Sequence, residues 1–308
     1  MPPINLGLVG FGKIARDQHL PAIAANSGYR LVGIADPHSR LDGVAHHASL
    51  KAMLDATPAL DAVAICTPTH LRHSQARLAL EHGKHVLLEK PPGATLSEVD
   101  ELSDLAERRQ LTLFAAWHSR FAPGVAQARQ WLAGREIRAV EIEWKEDARV
   151  WHPGQTWIWE PGGMGVFDPG INALSLATEI LPRPFFLRSA NLAVPSNCQT
   201  PIAADLAFSD VQETPIRAAF DFRQTGPQTW DIHVDTEAGR LSLTQGGRRL
   251  SIDGRVELEA EEREYPGLYA RFAELVAGRT SDVDVAPLRH VADAFLLGRR
   301  KRVAAYVE

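Results

Sequence analysis

Five short apolar runs punctuate the first 117 residues, at 4–9, 31–35, 62–66, 85–89 and 112–116. Between them lie stretches with helical spacing of apolar positions, among them Ser74 to Glu81 and Ser97 to Arg109. Brief apolar runs without alternation suit strands buried on both faces, and intervening helices return the chain for parallel pairing. The rhythm predicts an α/β domain with a parallel doubly wound sheet over residues 1–118. Beyond residue 120 the pattern changes. A helical stretch, Val125 to Leu132, leads into alternating segments. Val140, Ile142 and Trp144 fall on one face of such a segment, and Glu141, Glu143 and Lys145 on the other. Ile216, Ala218, Phe220 and Phe222 alternate likewise, and further strands are predicted near 186–192, 203–208, 230–234, 239–243 and 249–252. Period-two alternation with one apolar face predicts an α+β domain over 119–308, built on a large, mainly antiparallel open sheet covered on one side by helices. The other side is free for a partner, and a homo-oligomer, dimer or tetramer, through that sheet is expected.

The first apolar run opens into Gly10-Phe11-Gly12-Lys13-Ile14-Ala15. This GxGxxA fingerprint follows a strand and begins a helix, as a Rossmann dinucleotide site requires. Gly10 allows the tight turn, Gly12 lets backbone approach a pyrophosphate, and Ala15 permits close helix–strand packing. Lys13 and Ile14 then lie at the helix start, whose free N–H groups attract phosphate. The second run ends at Asp36, 21 residues beyond Ala15, where a carboxylate holds a ribose 2′-hydroxyl. NAD is therefore the expected cofactor. The following Pro37-His38-Ser39-Arg40 keeps NADP open, since His38, Ser39 and Arg40 suit a 2′-phosphate if Asp36 turns away. Thr67-Pro68 after the third run is expected to face the same cofactor. The fourth run ends in Glu89-Lys90-Pro91-Pro92. Proline stops a central strand, so the amine of Lys90 stands at the carboxyl edge of the sheet, where ligands bind in this architecture.

Net charge is −5, which gives no reason to expect nucleic acid. The basic run Arg299-Arg300-Lys301-Arg302 follows the helical stretch Leu288 to Leu297 and reads as a solvated helix end. Cys66 and Cys198 are far apart, which indicates neither a disulfide framework nor a zinc site. No metal spacing, signal peptide or membrane-length apolar stretch is recognised, and a cytoplasmic protein is expected. His46-His47 reads as a solvent loop and His70 and His73 as part of a helix start.

Asp168-Pro169-Gly170-Ile171-Asn172 opens another helical pattern, behind the loop Glu160-Pro161-Gly162-Gly163-Met164-Gly165. Asp168 reads as an N-cap with Pro169 as the first helical residue. Asn172 lies four residues on and shares its face, so a carboxylate and an amide also suit a site.

Taken together, GFGKIA, Thr67-Pro68, Gly83-Lys84-His85-Val86 leading to Glu89-Lys90-Pro91, and the later aspartate resemble the glucose–fructose oxidoreductase/inositol dehydrogenase (Gfo/Idh/MocA) family across the whole chain. Trp117-His118-Ser119-Arg120, Trp144-Lys145-Glu146-Asp147, Trp151-His152-Pro153-Gly154-Gln155 and the run from Trp157 to Asn172 are similar to its aldose 1-dehydrogenase branch. The resemblance implies oxidation of the anomeric carbon of a galacto-configured pyranose (D-galactose, L-arabinose or D-fucose) to the lactone, with hydride passing to NAD or NADP. It implies that Lys90 and Glu89 lie by the nicotinamide, and that His73 matches a position near the cofactor. Asp168 corresponds to the family aspartate. Many members carry histidine four residues later as base; here Asn172 cannot take a proton, so Asp168 or Lys90 must. Glu146, His118, His152, Asp168 and Asn172 are candidate hydroxyl binders, with Trp151 and Trp230 as sugar-stacking walls and Trp157 and Trp159 as further candidates. Another sugar or diol oxidoreductase of the family (an aldose–aldose oxidoreductase or a dihydrodiol dehydrogenase), or a sensor that binds NAD(P) without turnover, are the competing readings.

Overall fold

A computed structural model describes residues 2–308. The chain divides into two compact units. One runs from the N-terminus to His118 and takes back Tyr265–Val285; the other holds Ser119–Glu264 and Ala286–Glu308. A single division at 118/119 therefore omits a returning segment. The cause is the helix Glu264–Gly278. Its Tyr265, Leu268, Tyr269, Phe272 and Leu275, spaced three and four apart, form an apolar stripe that is fully buried. Phe272 stacks on Phe114 with ring centres 6.1 Å apart.

In the first unit, β1 (Ile4–Val9), β2 (Tyr29–Ala35), β3 (His46–His47), β4 (Ala62–Ile65), β5 (His85–Glu89) and β6 (Leu113–Ala116) form one sheet. The order is β3-β2-β1-β4-β5-β6, with every pair parallel. Chain order runs outward in both directions from the β1–β4 boundary, which makes that boundary the switch point where a crevice opens at the carboxyl ends. Val63, Ile65, Val86 and Leu88 pack on Leu80, Leu102 and Ala106 in one apolar cluster. His46-His47 is not a solvent loop. It forms the edge strand β3 beside Ile34 and Ala35, and His46 Nε2 lies 2.7 Å from the Asp36 carbonyl.

The second unit holds β7 (Ile137–Lys145), β8 (Phe185–Pro195), β9 (Ala203–Asp210), β10 (Pro215–Asp221), β11 (Thr229–Thr236), β12 (Gly239–Thr244), β13 (Arg249–Ile252), β14 (Arg255–Glu259) and β15 (Arg299–Val303). Their order is β14-β13-β12-β11-β7-β10-β9-β8-β15. Only β10 with β7 and β15 with β8 run parallel; the remaining pairs are antiparallel. Register places Ile216 beside Val140, Ala218 beside Ile142 and Phe220 beside Trp144, which fuses the alternating segments into one apolar face. The helix Phe167–Ile180 lies on that face. Gly170 permits the approach, because a Cβ there would stand 2.6 Å from the Phe220 ring. The opposite face carries Glu141, Glu143, Arg217 and His233. The run Arg299-Arg300-Lys301-Arg302 is not a helix end. It forms the edge strand β15, where exposed cations disfavour pairing with another sheet edge. No helix among the described residues is long and apolar enough to cross a membrane.

Candidate active site

The crevice of the first unit is built from the glycine turn outward. Gly10 has φ +82°, and a Cβ there would lie 2.8 Å from the Thr67 side chain and 3.0 Å from its backbone nitrogen. Only glycine suits that place. A Cβ at Gly12 would meet nothing within 4 Å, so backbone faces open space there. A helix starts at Lys13 and Ile14 and widens into a π-turn over Ala15–His19. Asp36 turns toward the glycine turn. Its Oδ2 accepts from Phe11 N–H at 2.8 Å, and its Oδ1 from the N–H groups of His38 at 2.8 Å and Ser39 at 2.7 Å. Burial opposes its charge, but these three hydrogen bonds outweigh it and hold the carboxyl below its ordinary value. His38 and Arg40 are exposed on the same loop. Thr67 is buried, and Pro68 precedes the helix Thr69–Glu81. An anchored carboxylate, a left-handed glycine and an open backbone at a helix start fit a dinucleotide.

Lys90 follows β5, and its peptide bond to Pro91 is cis. Its position is fixed from behind. Its N–H donates to Glu89 Oε2 at 2.8 Å. The buried Arg72 donates to the carbonyls on both sides, Glu89 O at 2.7 Å and Pro91 O, while its Nε reaches Thr67 O at 2.9 Å. One guanidinium thus ties the ends of two neighbouring strand segments. Glu89 is 2 % exposed. Its Oε1 accepts from Tyr265 Oη at 2.6 Å and lies 3.0 Å from His19 Nε2. The other nitrogen of His19 lies 2.7 Å from Tyr269 Oη, and the His118 ring stacks on Tyr265. Glu89 therefore braces the Lys90 backbone from inside the unit; as a direct cofactor contact its carboxylate is badly placed. Burial opposes charge on His19, but the neighbouring Cys66 sulfur and the Glu89 carboxylate outweigh it and raise its pKa to about 10. Burial likewise opposes ionisation of Glu89, and His19, His118 and Tyr265 hold it well below the ordinary carboxylate range.

The second unit gathers five of the candidate substrate residues: Glu146, Trp151, His152, Asp168 and Trp230. Glu146 follows β7 and is 2 % exposed. Its Oε2 accepts from Trp230 Nε1 at 2.9 Å, and its Oε1 lies 3.0 Å from His152 Nε2. His152 Nδ1 lies 3.8 Å from Asp168 Oδ2. Trp230 stands between Trp144, stacked at 5.8 Å, and the half-exposed Trp151, tilted at 4.9 Å. Asp168 is not an N-cap. The helix begins at Phe167 with Val166 in the capping position. Gly165, at φ +54°, already turns the chain, and Asp168 N–H bonds to its carbonyl at 2.9 Å. The carboxylate stands beside His152. Asn172 lies one turn further along, partly buried. Trp157 is partly buried, and Trp159 packs on Phe222 and Tyr306. His73 bonds to Glu101 at 3.0 Å. Among the described residues no cluster of His, Cys, Asp and Glu is placed to hold a metal.

Sequence reasoning assigned no role to Arg72, Tyr265, Tyr269 or His19. A buried arginine and two tyrosines carry no local signature of the strand end they support.

Residues 4–116 match the model of an oxidoreductase family with an NAD-binding Rossmann fold. Over its full length the chain is 49 % identical to galactose 1-dehydrogenase from Pseudomonas fluorescens, with all of both chains covered. This chain belongs to that oxidoreductase family. Within the family it is similar to the crystal structure of D-galactose-1-dehydrogenase from Rhizobium etli. The TM-score is 0.96 and the identity 56 %, covering 100 % of this chain and 99 % of that one. A 3-ketoreductase from Actinomadura kijaniata, solved with NADP, shares the fold at TM-score 0.82 and 20 % identity, over 98 % and 99 % of the two chains. An oxidoreductase that uses NAD(P) follows from membership, and the doubly wound unit is its cofactor-binding part.

Proposed function

We propose that this protein is an aldose 1-dehydrogenase that oxidises C1 of a galacto-configured pyranose to the lactone. The observation that carries the reading is the cluster Glu146–His152–Asp168 beside the Trp230 face, in a chain alike over its whole length to galactose 1-dehydrogenases. Paired carboxylates and an imidazole suit hydroxyl groups, and an indole face suits the apolar side of a sugar ring. NAD(P)+, when bound, accepts the hydride from C1. Gly10, Gly12, Lys13 and Ile14 hold its pyrophosphate, Asp36 its adenosine ribose, and Thr67, Pro68 and Lys90 line the strand ends. Asp168 takes the proton of the C1 hydroxyl, Lys90 steadies the oxygen, and Asn172 orients a neighbouring hydroxyl.

Steady-state rates with D-galactose, L-arabinose, D-fucose, D-glucose and D-xylose, each with NAD and NADP, test the reading. Turnover confined to the first three, which share configuration at C2, C3 and C4, is the expected result. No turnover with any of the five sinks it. L-Arabinose lacks only the group on C5, and one missing group changes discrimination by about 1–3 kcal/mol, so both sugars are expected to react.

NAD is the preferred cofactor on this reading, because Asp36 is held in place by three backbone donors and repels a 2′-phosphate. Asp36→Ala removes that charge and leaves Ser39 and Arg40 facing the ribose. The ratio of kcat/KM for NADP to that for NAD is expected to rise by about tenfold or more, roughly 1.4 kcal/mol. An unchanged ratio would show that the loop after Asp36 sets the preference.

A further inference from the structure

The polar side chains of the second unit form a line. His152 Nε2 lies 3.0 Å from Glu146 Oε1, and on the other side of the ring Nδ1 lies 3.8 Å from Asp168 Oδ2 and 3.3 Å from the Gln155 amide oxygen. Glu146 is fixed at its other oxygen by Trp230. An ionised carboxylate only accepts, so Nε2 carries the hydrogen; Nδ1 donates to the Gln155 oxygen when it too is protonated, and in the neutral ring, with the Gln155 amide turned to offer its NH2, it presents its lone pair toward Asp168. Two arrangements satisfy this geometry. In one, the proton is on Asp168 and bonds to Nδ1. In the other, it is on Nδ1, and an imidazolium lies between two carboxylates. The line is therefore built to let a proton cross from Asp168 to the ring. Glu146, from the end of β7, and Asp168, from the helix Phe167–Ile180, are charged groups that meet the ring. Phe222, 5.2 Å away, contributes an apolar wall, and Asp147, next to Glu146, is turned to Arg149 at 2.7 Å.

We propose that His152 receives the substrate's proton from Asp168, with Glu146 holding the ring and stabilising its charged form. The proposal rests on the reading of Asp168 as the group that deprotonates the C1 hydroxyl. In that step the C1–H electron pair leaves as hydride to the oxidised nicotinamide. The O–H pair becomes the second C–O bond of the lactone. The proton passes to Asp168 Oδ2 and then to His152 Nδ1, and solvent removes it once product has left. The gap between Nδ1 and Oδ2 exceeds a hydrogen bond by nearly an ångström, a looseness that ligand-free sites commonly show and substrate closes. His152 is a relay in this scheme, where its residue type alone suggested only a hydroxyl binder.

The test compares kcat and KM for D-galactose with NAD between about pH 5 and about pH 10 in the wild type, His152→Gln, Glu146→Gln and Asp168→Asn. His152→Gln is expected to lower kcat by about 10²-fold, to change KM little, and to abolish the acid limb that the wild type owes to a protonated ring. Glu146→Gln keeps the ring but removes the anion that favours its charged form, so the acid limb moves to lower pH. If His152→Gln fails to fold, Glu146→Gln carries the test alone. A raised KM with kcat and the acid limb unmoved in these variants overturns the relay and leaves a hydroxyl binder. Asp168→Asn keeps the two readings apart. A loss in Asp168→Asn with normal kcat in His152→Gln removes the relay only, whereas near-full activity in Asp168→Asn removes the base assignment beneath it.

Discussion

Replacing Asp168 with asparagine is expected to lower kcat by about 10²–10⁴-fold, the usual worth of a general base. Asparagine matches the shape of the side chain, so the first turn of the helix Phe167–Ile180 and its approach to Phe220 through Gly170 survive. The amide has no lone pair basic enough to take the C1 hydroxyl proton at neutral pH. A carboxylate is ionised there and needs no prior deprotonation, which is why Asp168 stands ahead of Lys90 for the role. Cofactor affinity is expected to stay unchanged, because Asp168 is not among the residues assigned to the dinucleotide. Steady-state kinetics beside an NADH fluorescence titration check both halves. A fall of less than about tenfold would move the base to Lys90, and Lys90→Met would then show the greater loss.

Most strands were legible, those of the first unit as unbroken apolar runs and the longer ones of the second by their period. Val140 to Trp144 and Ile216 to Phe222 alternate, and the register between β7 and β10 places those apolar positions side by side. β3 escaped because two residues cannot show a period. β15 escaped because an edge strand needs no apolar face, and its charges imitate a helix end. Asp168-Pro169 imitates a cap for a similar reason: the residue types fit, but Gly165 has already turned the chain three residues earlier. The glycine turn and Asp36 were legible because their spacing is local. Glu146, His152, Asp168 and Trp230 were named separately from their types and from the family resemblance. Their order in a line was not, since Trp230 meets Glu146 across 84 residues through the pairing of β11 with β7. The brace behind Lys90 is more distant still, with partners of His19 and Glu89 lying 250 and 176 residues away.

That brace makes Glu89→Gln the substitution with the largest expected effect on stability. His19 and Glu89 are both completely enclosed, and removing one charge leaves the other buried without its counter-ion, at a cost of about 3–5 kcal/mol. The pH dependence identifies the ion pair. The depressed pKa of Glu89 contributes stability that is fully present above its ordinary value of 4.5 and is lost as pH falls below it. The raised pKa of His19 contributes stability that is fully present below 6.5 and is lost as pH rises toward about 10. The pair is therefore at full strength between those two ordinary values. In Glu89→Gln the ring has lost one of the two groups that raise its pKa, so the variant gains less stability from holding a proton above 6.5. Urea unfolding of both proteins at about pH 6 and about pH 9 should show a wide gap in midpoint at the lower pH and a narrower one at the higher. An equal gap at both would mean that His19 is neutral in the native state and that Glu89 acts through its hydrogen bonds to Tyr265 and the Lys90 N–H alone. Either result bears on catalysis, because the same carboxylate fixes the backbone of Lys90. A weakened brace should lower kcat more than it raises the KM for NAD, since the glycine turn and Asp36 have their own anchors.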